Sequence, residues 1–181
     1  NGEVFRVDNL TGEAAQLIEP QIAGWDPNCA MQSVHPGHLV ETNEEVDRSV
    51  PPPGPESLAS LKVDGRRDLA ARMLEQFGEE LYPICHVASP LWLCYSLWGF
   101  EGMMMMGASR PELVRYACER FLLHSLHQVR AAAARGAAGI WIEECLTDMV
   151  SPEAFAALNL PSVRQLVEEI RDEGMHSIYY Y

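Results

Sequence analysis

The sequence predicts an α/β fold built on a parallel sheet, long enough for at most half of a closed eight-stranded βα barrel. Three observations carry that expectation. After about residue 80 the chain alternates strand, helix, strand, helix, strand with short glycine-terminated returns, the βαβ pattern that right-handed crossovers lay side by side. The chain has 181 residues and roughly 60 at the front look irregular, whereas a closed barrel typically takes about 250. Apolar residues make up 48% of it, enough for one packed core.

The elements follow in order. "EVFRVD" alternates apolar and polar residues and "NLTGE" follows as a turn, so the opening reads as a hairpin strand. From there to Pro55 the chain is rich in Pro, Gly, Asn and acids, ends in the stiff connector "VPPPGP", and should contribute little core. "RRDLAARMLEQFG" spaces Leu69, Met73 and Phe77 four apart and stops on Gly78, an amphipathic helix. "LYPICHVASPLW" reads as a buried strand running into a loop. "ASRPELVRYACERFLLHSLHQVRAAAARG" reads as a long helix, with Ser109 as cap, Pro111 in the first turn, Glu112 completing a capping box and Gly136 as the stop. "GIWIEEC" is the second strand. "SPEAFAALNLPSVRQLVEEIRDEG" repeats the helix formula with Ser151 as cap, a break at Pro161, an apolar face of Val163, Leu166, Val167 and Ile170, and a stop at Gly174. "HSIYYY" is the third strand. Residues 1–60 are therefore read as a hairpin and an irregular Pro-rich segment, and 61–181 as a partial barrel with three parallel strands. A half barrel leaves two strand edges unpaired, which predicts a homo-oligomer or an aggregation-prone chain.

Charge and cysteine usage narrow the function. Thirteen basic against twenty-six acidic residues give a net charge of −13, the wrong sign for gripping a phosphate backbone, so nucleic acid is not the expected partner. No window is long and apolar enough to span a bilayer and no signal peptide opens the chain, which reads as soluble and cytoplasmic. Five cysteines without a CxxC pair fit reduced thiols. The start at Asn1 without methionine and the end on three tyrosines read as cuts through a longer protein. P-loop, GxGxxG, GxSxG and HExxH signatures do not occur.

In a parallel βα sheet the chemistry sits at the C-terminal ends of the strands. That rule selects His86, Ser89 and Tyr95 after the first strand, Glu143, Glu144, Cys145 and Asp148 after the second, and Tyr179, Tyr180 and Tyr181 after the third. Neighbours on a strand point to opposite sides, so only one of Glu143 and Glu144 can face the barrel axis, and the run Ile140, Trp141, Ile142 does not decide which. A carboxylate in a partly dry mouth should have a raised pKa, suited to general acid work or to holding a cationic or metal-bound ligand; pairing with an arginine is the structural alternative. His86 fits a proton carrier or ligand as well as a hydrogen-bonded structural histidine. Cys85 and Cys145 read as buried fillers rather than nucleophiles. The four methionines of "GFEGMMMMGAS" cannot share one face and read as core or lid packing before a ligand wall. His35 and His38 in "HPGH" have a spacing a metal could use, but Pro and Gly make a turn and no third ligand is near, so a solvated loop is expected. His124 and His127 read as packing or surface residues of the long helix.

"VETNEEVDRSVPPPG", "YPICHVASPLW", "GFEGMMMMGASRPELV" and above all "AAARGAAGIWIEECLTDMVSPEAFAALNLPSVRQLVEEIRDEG" resemble the uroporphyrinogen decarboxylase superfamily, whose other branch comprises cobalamin-dependent methyltransferases. The resemblance covers most of the chain from about residue 40 onward. It implies a (β/α)8 TIM barrel with its site at the strand C-termini, of which this chain is a central part. It also implies an enzyme domain acting on a tetrapyrrole or in corrinoid-linked methyl transfer, or else a barrel fragment docking a corrinoid-protein partner. Glu143, Glu144 and Cys145 stand where the decarboxylases have an aspartate followed by Ser and Trp, and Tyr95 is nearest to their substrate-holding tyrosine. The implied roles are acid/base or ligand-orienting for Glu143, Glu144 and His86, and substrate binding for Tyr95, Asp148 and Tyr180. A decarboxylase would need no cofactor; the methyltransferase branch uses a corrinoid partner and zinc held by a His-x-Cys, near which Tyr180 falls.

Overall fold

The computed structural model describes residues 4–7, 14–17, 40–54, 68–145 and 147–180. Strands β1 (Val4–Val7) and β2 (Ala14–Leu17) pair antiparallel as the opening hairpin. Three further strands, β3 (Ile84–Ala88), β4 (Gly139–Glu143) and β5 (His176–Tyr180), form a parallel sheet in the order β3-β4-β5. In its register Ala88, Glu143 and Tyr180 stand level at the C-terminal end, and His86, Trp141 and Ile178 stand level two residues earlier.

Between residues 40 and 54 the structure corrects the sequence expectation. Asn43–Ser49 is a helix, α1, started by a capping box: the Thr42 hydroxyl accepts from the Glu45 amide at 3.2 Å, and the Glu45 carboxylate accepts from the Thr42 amide at 3.2 Å. Three valines spaced across it, Val40, Val46 and Val50, are buried at 7%, 0% and 3% exposure, so this segment does supply core. The Trp98 indole N–H donates to the Val40 carbonyl at 2.7 Å, and Asp47 pairs with Arg120 at 2.9 Å, which ties α1 onto the long helices.

Helix α2 spans Asp68–Phe77. The strand β3 does not run into a loop: Ser89 directly caps helix α3, Pro90–Ser109, its hydroxyl accepting from the Trp92 amide at 3.2 Å. Gly99 breaks α3 internally with φ 65° and ψ −176°, a backbone region essentially reserved for glycine. Beyond that break the methionines divide as their spacing requires: Met103 and Met106 enter the core, Met104 is half-buried and Met105 is exposed. Helix α4 is Pro111–Ala133, but the capping box expected at its start is not formed. Ser109 is still the last residue of α3 and donates back to the Met105 carbonyl, while Glu112 pairs with Arg110 at 2.9 Å. Gly136, at φ 86°, terminates α4 by turning the chain back so that the Ala137 amide bonds the Ala132 carbonyl.

After β4 a 3-10 turn, Thr147–Met149, leads to α5 (Pro152–Leu158), capped by Ser151, and α6 (Leu160–Asp172). The break between them centres on Asn159, with Pro161 in the first turn of α6. Two cores result. One gathers α1, α3, α4 and Leu158 around Trp98; the other fills the space between the sheet and α4 and α6 with Val87, Ile140, Ile142, Val129, Leu166 and Ile170. Among the described residues no helix is long and apolar enough to cross a membrane.

His35, His38 and Tyr181 lie outside the described residues.

Candidate functional site

The sheet has two unlike faces. Val87, Ile140 and Ile142 point into the helix layer, while His86, Trp141, Ile178 and Tyr180 stand on the open face. Strand periodicity then separates the two adjacent acids: Glu143 shares the parity of Trp141 and Glu144 that of Ile142. Glu143 keeps 30% of its side chain exposed, and Glu144 is 0% exposed. The question that the apolar run left open is answered by which face the helices cover.

On the open face, His86 Nε2 and Glu143 Oε2 are 2.6 Å apart. The other Glu143 oxygen accepts from the Cys145 thiol at 3.3 Å, so both carboxylate oxygens are engaged and the group is held in one orientation. Tyr180 stands opposite Glu143 in the register, and its ring packs on Trp141 with centroids 5.2 Å apart. His86, Glu143, Cys145, Trp141 and Tyr180 thus form one cluster at the strand C-termini. The Cys145 thiol is pushed up to about 11, first by burial and then by the Glu143 carboxylate, which keeps it a thiol rather than a nucleophilic thiolate.

Behind this surface, Glu144 accepts from the Ser89 hydroxyl and from the Asn159 side-chain amide, both on Oε2. Burial raises its pKa to about 7 against the opposing pull of these two donors. The backbone around it is equally tied: the Ser89 amide donates to the Glu143 carbonyl at 2.9 Å, and the Glu144 amide to the Tyr180 carbonyl at 2.8 Å. Tyr179 lies half-buried on this inner side, its phenol pushed up by burial and then by the nearby Glu144.

The remaining expected site residues go elsewhere. Tyr95 packs between Trp92 and Phe100, at 5.3 and 6.2 Å, and lines a cavity of about 200 Å³ with Met103, Met104 and Met149 that shares no lining residue with the His86–Glu143 cluster. Asp148 belongs to the 3-10 turn, and its side chain lies outside the described residues. Cys85 is half-buried on the covered face, and His124 bonds the Pro51 carbonyl at 2.7 Å as a packing residue. An apolar groove of about 590 Å³, walled by α2, Tyr82 and Ile84, lies at the opposite end of the sheet from the acids. Sequence reasoning did not single out Trp141 or Asn159. Trp141 had a signal, since it is the large aromatic two residues before Glu143; Asn159 had only its place ahead of "LP".

A zinc site does not fit these residues. Among the described residues no group of three His, Cys, Asp or Glu side chains is placed to hold a metal ion together.

Parallel strands, helix returns and a polar cluster at the strand C-termini are consistent with part of a βα barrel. A sequence profile described as Uroporphyrinogen decarboxylase (URO-D) matches residues 3–181, and the chain belongs to that family, which implies a TIM-barrel-like fold. A comparison with curated proteins gives no match.

Proposed function

We propose that this chain is a catalytic barrel segment of a uroporphyrinogen decarboxylase-like enzyme acting on a tetrapyrrole, with β3, β4 and β5 as consecutive barrel strands whose open face lines the lumen. The observation that carries this reading is the His86–Glu143 pair at 2.6 Å, standing at the strand C-termini beside the Trp141–Tyr180 aromatic wall. A carboxylate accepting the Nε2 proton leaves Nδ1 as the imidazole atom free to exchange a proton with a ligand. Decarboxylation of a pyrrole side chain releases CO2 and needs a proton delivered to the carbon left behind, a step that a positioned imidazole serves. Aromatic faces such as Trp141 and Tyr180 suit a flat macrocycle. Corrinoid-linked methyl transfer presents the same kind of flat ligand and is the second reading.

Absorbance titration of the protein with a porphyrinogen analogue and, separately, with a corrinoid tests this. Binding of the analogue that weakens in Trp141→Ala, with turnover lost in Glu143→Gln, supports the decarboxylase reading. Corrinoid binding alone transfers the same residues to methyl transfer. Binding of neither leaves a docking segment without chemistry of its own.

A further inference from the structure

Two buried oxygens in the Glu144 cluster have no hydrogen-bond partner: Glu144 Oε1 and Asn159 Oδ1. Both residues are 0% exposed, so bulk solvent does not reach either oxygen. Both atoms are acceptors, so neither can satisfy the other, and an unpaired buried acceptor is costly. The partnered halves of the same two groups already face each other, because the Asn159 Nδ2–H donates to Glu144 Oε2. A carboxylic acid and a primary amide close a ring when the acid carbonyl accepts the amide N–H and the acid O–H donates to the amide carbonyl. In such a ring a proton on Oε1 would supply the missing leg and satisfy both orphans at once.

We propose that Glu144 is held as a neutral carboxylic acid that closes a cyclic hydrogen-bonded pair with the Asn159 carboxamide, a proton-linked latch between the end of β4 and the α5–α6 junction. Oε2 then serves as the acid carbonyl, whose two lone pairs take the Asn159 amide and the Ser89 hydroxyl. Ser89 extends the latch to β3, and the Thr147 hydroxyl, donating to the Glu144 carbonyl at 3.0 Å, fixes the turn that follows. The proton comes from solvent and no bond between heavier atoms changes.

The surroundings favour the neutral form. Burial raises the carboxyl, and the groups that act on it or feel its charge are Ser89 at the end of β3, Asn159 between α5 and α6, Tyr179 on β5, Cys94 on α3 and Cys145 after β4. None of these is a cation, and Glu143 beside it is another acid. Ionisation would remove the O–H that closes the ring and leave a buried anion with no counter-charge among these groups, and the latch would open.

The test is carbon-13 NMR of the intact chain labelled at the glutamate side-chain carboxyls. The latch predicts one resonance that titrates near 7 while ordinary glutamates titrate near 4.5, and that disappears in Glu144→Gln. Glutamine can close the same ring with its own amide, so that variant should keep its fold and lose the dependence of stability on pH across that interval. Should Glu144→Gln fail to fold, infrared spectra of the labelled wild-type chain carry the test. A neutral-carboxyl band persisting a pH unit below 7 and bleaching a pH unit above it supports the latch. Every glutamate carboxyl ionised a pH unit below 7 overturns it.

Discussion

On the helix-covered face of the sheet, Val87, Ile140 and Ile142 retain 1%, 0% and 0% of their exposure, while on the open face Ile84, Trp141 and Ile178 retain 44%, 38% and 37%. The two faces are made from the same kinds of side chain. What separates them is the single helix layer of α4 and α6, and that layer also separates the fates of two adjacent glutamates. Glu143, on the open side, is oriented by His86 and Cys145 and remains within reach of a ligand. Glu144, on the covered side, is dry and bonded to Ser89 and Asn159. One residue of strand register thus turns the same chemical group into a candidate reacting group or into internal structure.

The largest expected effect lies on the open face. Glu143→Gln and His86→Asn should each lower turnover by about 10²–10⁴-fold, the usual worth of a general acid or base, with little change in melting temperature. Equal losses of stability and turnover would erase the contrast between the faces. Across the layer, Ile142→Ala should cost about 2–5 kcal/mol in urea unfolding, whereas Ile178→Ala should cost less than about 1 kcal/mol because its neighbours leave it partly wet.

A third effect belongs to Glu144 and has a defined sign. Its folded-state pKa is raised from 4.5 to about 7, so between those values the native chain holds more protons than the unfolded one. Stability should therefore be highest below pH 4.5 with respect to this group and fall by about 3 kcal/mol as pH rises through about 7. Unfolding free energies of wild type and Glu144→Gln at the two ends of that range check it, since the variant should show no such slope from this site. A further effect, as modest as that at Ile178, is remote from both faces. Thr42→Ala removes the side-chain half of the α1 capping box and should cost about 1 kcal/mol, measured by thermal unfolding.

Much of the fold is legible in the sequence because its signals are local. Ser151 and Pro152 do start α5, and Gly136 and Gly174 do end α4 and α6 in the positive-φ conformation that glycine adopts without penalty. Helix α1 was hidden by its setting: its valines at 40, 46 and 50 are too sparse among acids and prolines to show a periodicity, and only the Thr42–Glu45 spacing betrays it. Ser109 misled because α3 and α4 are separated by the single residue Arg110, which leaves a serine that looks like a cap as the end of the preceding helix. The candidate site was legible as a stretch of strand ends and not as a geometry. The strand-end rule finds His86 and the glutamate pair, but which glutamate faces outward depends on what covers each side of the sheet, and that is settled by contacts far apart in sequence. Tyr95 shows the same limit, since a helix beginning at once after Ser89 carries it away from the strand end.

The division of the two acids is tested most directly by labelling the native chain with a water-soluble carbodiimide and an amine, then locating the adducts by tandem mass spectrometry. The account predicts modification at Glu143 and none at Glu144 in the folded chain at a pH below about 7, with both modified after unfolding in urea. Modification of Glu144 in the folded chain, at a level matching Glu143, would contradict it.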